Sequence, residues 1–266
     1  MKKADEIEPP DTESPKPSIL ARRLSQDEVF DDDYLYFNEM YLTRERTRLE
    51  RELIVKICSP GANATFLDVG CGHGRISNEL ALGGFKVTGV DMSESAILRA
   101  RRNAETLSVD VNYIVSDFLS FETRTRYDFV LSWYTSFGYF DDDTNKQILN
   151  RMFLKTKPGG ACLIEHINRD RMLKNFTEQM FQRRNEDVML DQIKFDVISS
   201  RSTRERTFYR AGKLRSVTYD IRIFTFTELA GWLRSAGFSQ IFGYGSEGER
   251  FTVDSKRMLI LATREK

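Results

Sequence analysis

The chain has 266 residues, of which 40% are hydrophobic and 30% charged, and its 40 Lys and Arg residues balance its 40 Asp and Glu residues. These values fit a globular protein of one sizeable domain with additions, or of two small domains, and the balanced charge argues against a polyanionic partner. The sequence lacks an apolar run long enough to span a membrane or to act as a secretory signal, so we expect a cytoplasmic protein without a membrane partner.

The first 60 residues divide into two segments. Residues 1–30 are predicted to be disordered, because four of the six prolines lie there among charged residues. Residues 31–60 are predicted to be helical, with Thr43 as the N-cap of a helix whose apolar residues share one face. The start of this second segment is too aromatic for a linker; its rings are Tyr34, Tyr36, Phe37 and Tyr41.

The stretch from Phe66 to Arg75 organises the rest of the chain. An apolar run ends at Asp68, and alternate glycines at positions 70, 72 and 74 lead into an amphipathic segment. This order predicts a buried strand, a tight turn and a helix N-terminus, the first βα unit of a doubly wound sheet. Asp91 ends the next apolar segment, close to the distance of about 20 residues at which an acidic residue meets a ribose hydroxyl. Arg75 takes the place of the third glycine of a dinucleotide-binding turn, which disfavours an NAD-dependent reductase.

The pattern of apolar residues changes along the chain. Apolar segments and helical patterns alternate through residues 61–170, which predicts parallel βαβ units. Between residues 171 and 224 apolar residues recur at every second position, as in half-exposed antiparallel strands. Residues 225–266 return to a helix and two strands, which complete the core. We therefore predict an α/β fold: a doubly wound, mostly parallel seven-stranded sheet with a small antiparallel β cap inserted after the fifth strand.

The segment Asp68-Val69-Gly70-Cys71-Gly72-His73-Gly74 resembles motif I of class I S-adenosylmethionine (SAM)-dependent methyltransferases, D/E-x-G-x-G-x-G, at every fixed position. Three later segments are similar to this family in the same order, so that the resemblance covers residues 66–165; they are Asp117-Phe118, Tyr127 to Leu131 and Leu154 to Gly160. The resemblance implies a methyltransferase with SAM as its cofactor, similar to bacterial small-molecule methyltransferases.

The resemblance also implies roles for individual residues. The glycine turn approaches the amino acid part of SAM, Asp91 binds the ribose hydroxyls, and Asp117 borders the adenine. Met92 and Phe118 pack on the purine, with plain core packing as the alternative. The cofactor-binding residues predicted in this way are Asp68, Gly70, Cys71, Gly72, Asp91, Met92, Asp117, Phe118, Ser132, Trp133, Tyr36 and Arg46.

Tyr36 and Arg46 belong to this set because relatives with a similar N-terminal helix often hold the SAM carboxylate with a Tyr and an Arg of this region. We expect the aromatic rings before Arg46 to lie over the SAM pocket. A guanidinium offers a carboxylate two parallel donors. Arg44 and Arg48 are alternatives to Arg46, and an i,i+4 pair between Arg46 and Glu50 is the alternative that needs no ligand.

Two residues near the expected cleft are candidates for catalysis. His166 follows the fifth strand, where a neutral imidazole is able to remove a proton from the acceptor; a non-catalytic histidine is the alternative. Tyr139 ends Ser136-Phe137-Gly138-Tyr139, which resembles a segment of amine-methylating relatives; packing under the cap is the alternative. His73, inside the glycine turn, is expected to have a structural or cofactor-edge role. Two histidines without clustered cysteines predict no metal site.

A run of six basic residues lies in the predicted cap. We favour a solvated edge over a binding surface for an anionic substrate or RNA. The run comprises Arg201, Arg204, Arg206, Arg210, Lys213 and Arg215.

The predicted activity is transfer of the SAM methyl group to N or O of a small-molecule acceptor. A methyltransferase acting on RNA or protein is the first alternative, and a non-catalytic SAM-binding regulatory protein is the second. Nucleic acid is a disfavoured partner, and a homodimer is left open. The sequence does not identify the acceptor.

Overall fold

The computed structural model describes residues 29–266, so nearly all of the segment predicted to be disordered, residues 1–30, lies outside the described residues. The helices are α1 Asp32–Asn38, α2 Arg44–Cys58, α3 Arg75–Leu82, α4 Glu94–Leu107, α5 Asp142–Lys155, α6 Arg169–Lys174 and α7 Phe226–Ser235. The strands are β1 Thr65–Val69, β2 Lys86–Asp91, β3 Val111–Val115, β4 Tyr127–Ser132, β5 Thr156–Ile167, β6 Gln179–Arg184, β7 Asp187–Asp196, β8 Arg201–Arg210, β9 Lys213–Arg222, β10 Gln240–Tyr244 and β11 Arg257–Thr263. Among residues 29–266, no helix combines the length and the apolar character needed to cross a membrane.

Side-chain caps set the starts of two helices around the core. The Thr43 side chain accepts a hydrogen bond from the Arg46 N–H at the start of α2, and the Ser93 side chain accepts from the Ala96 N–H at the start of α4. Each bond satisfies one of the donors that the first turn of a helix leaves open. The predicted N-cap at Thr43 is confirmed.

Seven strands form one sheet in the order β10-β11-β5-β4-β1-β2-β3. The strands β1 to β5 pair in parallel, whereas β11 runs antiparallel to both of its neighbours. The direction of winding reverses between β1 and β4, and open α/β sheets bind ligands at the carboxyl ends of strands at such a point. The prediction of a mostly parallel, doubly wound seven-stranded sheet is confirmed.

Apolar side chains of the central strands fill both faces of this sheet. Phe66 and Leu67 are adjacent on β1, point to opposite faces and are fully buried. Leu67 belongs to a cluster with Leu149 of α5, whereas Phe66 belongs to a second cluster with Ile54 of α2 and Leu80 of α3. Because both faces are covered by helices, the carboxyl ends of the strands are the place where a ligand can approach the sheet.

The cap is a four-stranded antiparallel sheet in the order β6-β7-β8-β9, inserted after β5 as predicted. Its last hairpin turns at Ala211 and Gly212, whose φ angles of 49° and 76° are those of a two-residue turn with both residues left-handed. Arg222, at the end of β9, joins the cap to the core. Its N–H donates to the Gly138 carbonyl at 2.8 Å, and its guanidinium pairs with Asp142 at 3.3 Å.

The short helix α1 packs on the cap. The Phe37 ring stacks on the Phe208 ring of β8, with 5.9 Å between centroids. Met189 of β7 and Val217 of β9 complete this cluster, and Phe37 is fully buried in it. The aromatic segment and the cap are therefore one packed layer, which lies over the carboxyl ends of the central strands.

Candidate functional site

The glycine turn between β1 and α3 has a backbone that other residues rarely adopt. Gly70, Gly72 and Gly74 have φ angles of 71°, 53° and 77°, which glycine occupies without steric strain. A Cβ on Gly70 would lie 2.8 Å from the Cβ of Ser136, closer than two carbon atoms can pack. The Ser136 hydroxyl donates to the Gly70 carbonyl at 2.9 Å. The turn is thus held against the segment after β4 and lines a cavity with its backbone.

Asp91 fixes the turn from the end of β2. Its Oδ2 accepts from the Gly72 N–H at 2.8 Å, and its Oδ1 accepts from the Ser93 N–H at 2.9 Å. Asp91 is 8% exposed and lines the same cavity as the turn. A carboxylate at this place in the lining is of the chemical type that accepts a hydrogen bond from a ligand hydroxyl.

Asp68 lies at the start of the turn and lines the cavity from a buried position. Burial raises the pKa of Asp68 to about 6, while the hydrogen bond that its Oδ2 accepts from the Ser77 hydroxyl at 2.6 Å works in the opposite direction. Cys71 follows in the turn, and burial raises the pKa of its thiol well above the ordinary value. The thiol is therefore neutral and inert.

A cavity of about 300 Å³ brings four parts of the chain together. The glycine turn and Asp91 line it from the central sheet, and Trp133 lines it from the segment after β4. Tyr34 contributes from α1, and Arg206 and Tyr219 contribute from the cap. The cap and α1 therefore face the turn across a space of small-molecule size.

Four aromatic rings meet on the cap side of this cavity. The Phe30 ring lies 5.1 Å from Tyr34, 5.5 Å from Tyr139 and 6.2 Å from Tyr219, measured between centroids. Burial, with Tyr219 and Tyr34 nearby, raises the pKa of Tyr139 well above its ordinary value. The structure places Tyr139, a predicted catalytic residue, in the cavity wall, where the raised pKa keeps its phenol protonated.

A second group of polar residues surrounds Glu50 of α2. Arg46 Nε donates to Oε1 at 2.8 Å, while Arg75 Nη2 and Trp133 Nε1 donate to Oε2 at 2.6 and 3.0 Å. Burial alone would raise the pKa of Glu50, but Arg75 and the three hydrogen bonds lower it below its ordinary value. Both guanidinium groups lie over the Tyr134 ring, at 5.2 and 5.4 Å. Two cations thus share one carboxylate, which leaves one positive charge beside the turn.

The backbone under this group is strained. Tyr134 and Thr135 have φ angles of 56° and 62°, which non-glycine residues seldom adopt, least of all a β-branched one. The Thr135 N–H donates to the Glu165 carbonyl at 3.2 Å, and its hydroxyl accepts from Arg257, which lines the cavity. Strain of this kind concentrates at functional sites, since the surrounding contacts have to maintain it.

Arg75 is a cation of the cavity lining that the sequence interpretation did not consider for SAM binding. Arg75 lines the cavity, whereas Arg46, the predicted residue, is part-exposed. Arg46 forms the i,i+4 ion pair with Glu50 that the sequence analysis gave as the alternative to SAM binding. The available signal was position: Arg75 is the first residue of α3, directly after the glycine turn. Arg75 stands where a dinucleotide-binding turn has its third glycine, so its guanidinium lies at the edge of the cavity.

Tyr36 also lies outside the cavity lining, and its role toward SAM stays a prediction. Its ring lies between the guanidinium groups of Arg184 and Arg210, at 4.2 and 4.1 Å, and its hydroxyl donates to the Arg184 carbonyl at 3.5 Å. Of the aromatic residues predicted to cover the pocket, Tyr34 lines the cavity and Phe37 packs in the cap. The reason is the helical period of α1, which turns Tyr34 and Tyr36 to different sides.

Four other predicted cofactor residues lie outside the cavity lining. Met92 is 40% exposed, and Asp117 is exposed, with its Oδ1 accepting from the Leu119 N–H. Phe118 packs in the apolar core, and Ser132 is buried at the end of β4. Their roles toward SAM stay predictions that rest on the resemblance.

The prediction that His166 faces the cleft is wrong. His166 is fully buried, its Nε2 lies 3.1 Å from the Phe137 carbonyl, and its Nδ1 lies 3.3 Å from the Ile167 carbonyl. Burial, with help from Arg257, lowers the pKa of His166 to about 4. Side chains alternate along a strand, so it is Ile167 that reaches the cavity. His73 does line the cavity, and burial lowers its pKa to about 4 as well.

The basic run of the cap is not a solvated edge. Of these six described residues, Lys213 alone is exposed, and all five arginines pair with acidic residues of α1, α5 or β7. The ion pairs are Arg201–Asp142 (3.3 Å), Arg204–Asp191 (3.5 Å), Arg206–Asp191 (2.6 Å), Arg210–Asp33 (2.9 Å) and Arg215–Asp33 (3.1 Å). The period-two pattern could have predicted this burial, because positions 204, 206 and 208 share one face of β8. Phe208 is buried, which makes that face the inner one.

Residues 60–212, more than half of the chain, match the protein family described as a methyltransferase domain. A ubiquinone biosynthesis O-methyltransferase of Coxiella burnetii is 38% identical over 107 residues, which are 39% of this chain and 44% of that enzyme, so the match spans less than half of its length. A SAM-dependent methyltransferase from Clostridium acetobutylicum superposes with a TM-score of 0.76 at 15% identity, over 88% of this chain and 99% of that chain. The sugar N-methyltransferase KedS8 from Streptoalloteichus sp. superposes with a TM-score of 0.65 at 17% identity, over 88% and 92%.

The family match and the structural neighbours agree with the resemblance of the glycine-turn segment to motif I. The two structural neighbours establish the fold at this level of identity, and the family match establishes the class of enzyme. The chain therefore belongs to the methyltransferase-domain family and has the fold of the class I SAM-dependent methyltransferases, as motif I implied.

Proposed function

We propose that this methyltransferase takes its methyl group from SAM and transfers it to a nitrogen of a small molecule bound under the cap. The main support is the cavity that the glycine turn and Asp91 share with Arg206 and Tyr219 of the cap. A volume of about 300 Å³ suits small ligands better than a polymer.

The residues on the turn side fit SAM chemically. The turn presents backbone without side chains, and Asp91 presents a carboxylate to a ribose hydroxyl. Arg75 presents a guanidinium to the carboxylate of the amino acid part, and the Tyr134 ring offers a π face to a cation. SAM, when bound, supplies an electrophilic methyl group on a sulfonium. The chain would contribute position and the exclusion of water, which supply most of the rate in such displacements.

A nitrogen acceptor is favoured by the side chains that could take a proton. Tyr139 and Tyr34 have pKa values raised by burial, so both stay protonated. With a pKa of about 4, His73 is a weak base at neutral pH. The Asp68 carboxylate already accepts a hydrogen bond from the Ser77 hydroxyl. An amine can lose its proton to solvent before it binds and needs little help from a base. The sugar N-methyltransferase among the structural neighbours acts on nitrogen as well.

An oxygen acceptor is the alternative, favoured by the name of the Coxiella burnetii relative. RNA is disfavoured because Arg201, Arg210 and Arg215, the arginines of the basic run outside the cavity lining, pair with acidic residues and so form no free basic surface. A regulatory protein that binds SAM without turnover differs from an enzyme in one measurable respect, the release of S-adenosylhomocysteine.

The test combines binding and turnover. The purified protein is titrated with SAM by calorimetry, then incubated with SAM and separate pools of amines, amino sugars and phenols while S-adenosylhomocysteine is measured. We expect SAM binding and turnover with amino compounds. Turnover with phenols alone would overturn the nitrogen assignment, and turnover that needs RNA or protein, removed by nuclease or protease, would overturn the small-molecule assignment. Absence of SAM binding would overturn the proposal as a whole.

A further inference from the structure

The cap contributes a buried guanidinium to the acceptor side of the cavity. Arg206 and Arg204 lie two residues apart on β8, on the same face of the strand, and both line the cavity. In the antiparallel pairing Arg206 stands opposite Asp191 of β7, and Arg204 stands opposite Tyr219 of β9. Both arginines therefore face the space that the glycine turn lines from the other side.

The charges of this group do not balance. Arg206 Nε and Nη2 donate to the two oxygens of Asp191 at 2.6 and 2.7 Å. Arg204 Nη1 lies 3.5 Å from the same carboxylate, whose side chain is 2% exposed. Two guanidinium groups share one buried carboxylate, so one positive charge remains without a partner inside this group.

One donor of Arg206 is also unsatisfied. Among residues 29–266, Arg206 Nη1 has no hydrogen-bond partner, although Arg206 is only 5% exposed. The guanidinium lies 5.6 Å from the ring centroids of Tyr34 and Tyr219 and 6.0 Å from that of Phe208. These rings stabilise a cation but accept a hydrogen bond poorly, and a buried N–H without an acceptor is unfavourable.

We propose, building on the function proposed above, that Arg206 with Arg204 binds an oxyanion of the acceptor, a carboxylate or a phosphate group. The bidentate pair with Asp191 and the surrounding rings fix the guanidinium before the ligand arrives, so little side-chain entropy is lost on binding. An oxyanion supplies the missing hydrogen-bond acceptor for Nη1 and also neutralises the extra positive charge. An uncharged carbonyl supplies the acceptor but leaves the charge in place. The aromatic rings around Phe30 would then hold the part of the acceptor between this oxyanion and the methyl donor.

The test uses small aromatic probes and the full chain. Phenyl phosphate and benzoate are titrated by calorimetry with and without SAM, and benzamide serves as the uncharged probe. We expect at least one anion to bind more tightly than benzamide, and Arg206→Lys to weaken that binding by about tenfold while SAM affinity stays unchanged. Whichever anion binds identifies the oxyanion. Arg210→Lys is the matched control on the same strand, because Arg210 pairs with Asp33 away from the cavity.

Two results would overturn the proposal. The first is that neither anion binds more tightly than benzamide; the second is that Arg206→Lys and Arg210→Lys weaken anion binding equally. If Arg206→Lys does not fold, Arg204→Met carries the test, since the Arg204 side chain is 21% exposed and its ion pair is the longer one. Because the anions are also titrated without SAM, a failure of this proposal is distinct from a failure of SAM to bind.

Discussion

The two walls of the cavity hold their polar groups in different ways. On the turn wall, backbone geometry does the positioning: Gly70 and Gly72 adopt left-handed φ angles, and Asp91 is fixed by two N–H groups. On the cap wall, side chains position one another, as Asp191 positions Arg206. A wall made of backbone tolerates few substitutions, while a wall made of side chains can change residue by residue without altering its strand pairing. We infer that the turn wall serves the constant methyl donor and that the cap wall sets the acceptor.

The largest effect is expected from a side chain placed in the turn. Gly70→Ala has to adopt a φ of 71° and brings its Cβ within 2.8 Å of the Ser136 Cβ, so we expect a loss of about 2–4 kcal/mol in the free energy of unfolding. Gly212→Ala in the cap hairpin is the matched control, since its φ is 76° but no atom lies within 4 Å of the new Cβ; strain alone should remove about 1 kcal/mol. Urea denaturation measures both, and equal losses would contradict the idea that the turn wall is sterically closed.

The next largest effect concerns the carboxylate of the turn wall. We expect Asp91→Ala to weaken SAM binding by about 2–3 kcal/mol, because a ribose hydroxyl and the Gly72 N–H both lose a charged acceptor. Calorimetry measures the affinity. Asp117→Ala, measured in parallel, should have a smaller effect, since an exposed carboxylate is well solvated without a ligand. An Asp117→Ala loss as large as that of Asp91→Ala would extend the SAM site beyond the cavity.

A smaller effect separates the two arginines that share Glu50. Arg75→Gln is expected to weaken SAM binding about tenfold, because Arg75 lines the cavity and a charge-assisted bond to the SAM carboxylate is lost. Arg46→Gln should change the affinity by no more than about twofold, as is usual for a part-exposed ion pair. The opposite order of the two affinities, again measured by calorimetry, would restore Arg46 as the carboxylate-binding residue.

The smallest effect tests whether the cap wall takes part in proton transfer. Tyr139→Phe is expected to lower kcat by about threefold, the loss of one neutral hydrogen bond, with SAM affinity unchanged. The pH–rate profile should keep its shape, because burial holds the pKa of Tyr139 above the working range. If wild-type activity rises with pH through the titration of a single group and this rise is lost in Tyr139→Phe, Tyr139 acts as a base and the cap wall has a chemical role.

The sequence predicted the turn wall well because its signals are local. Asp68, Gly70 and Asp91 stand at strand ends that hydrophobic runs define, and the structure places all three at one cavity. The period-two alternation likewise predicted the antiparallel cap. Such patterns depend on neighbours a few residues apart, which a single sequence contains.

The cap wall was harder to predict because its contacts are between distant residues. Asp33 pairs with Arg210 and Arg215 across more than 170 positions, so the sequence alone predicted a solvated edge for the basic run. The choice between Arg46 and Arg75 depends on how α2 and α3 pack around Glu50. His166 was misplaced by a single position, since its neighbour Ile167 lines the cavity.

The packing of α1 on the cap has a consequence for engineering acceptor specificity. An exchange of β6 to β9 with those of another methyltransferase would remove Phe208 from Phe37 and the arginines from Asp33. The helix that carries Tyr34 into the cavity would then rest on a foreign surface. A graft that keeps the chain foldable has to transfer residues 31–38 together with the cap, so the exchangeable unit of this enzyme is discontinuous in sequence.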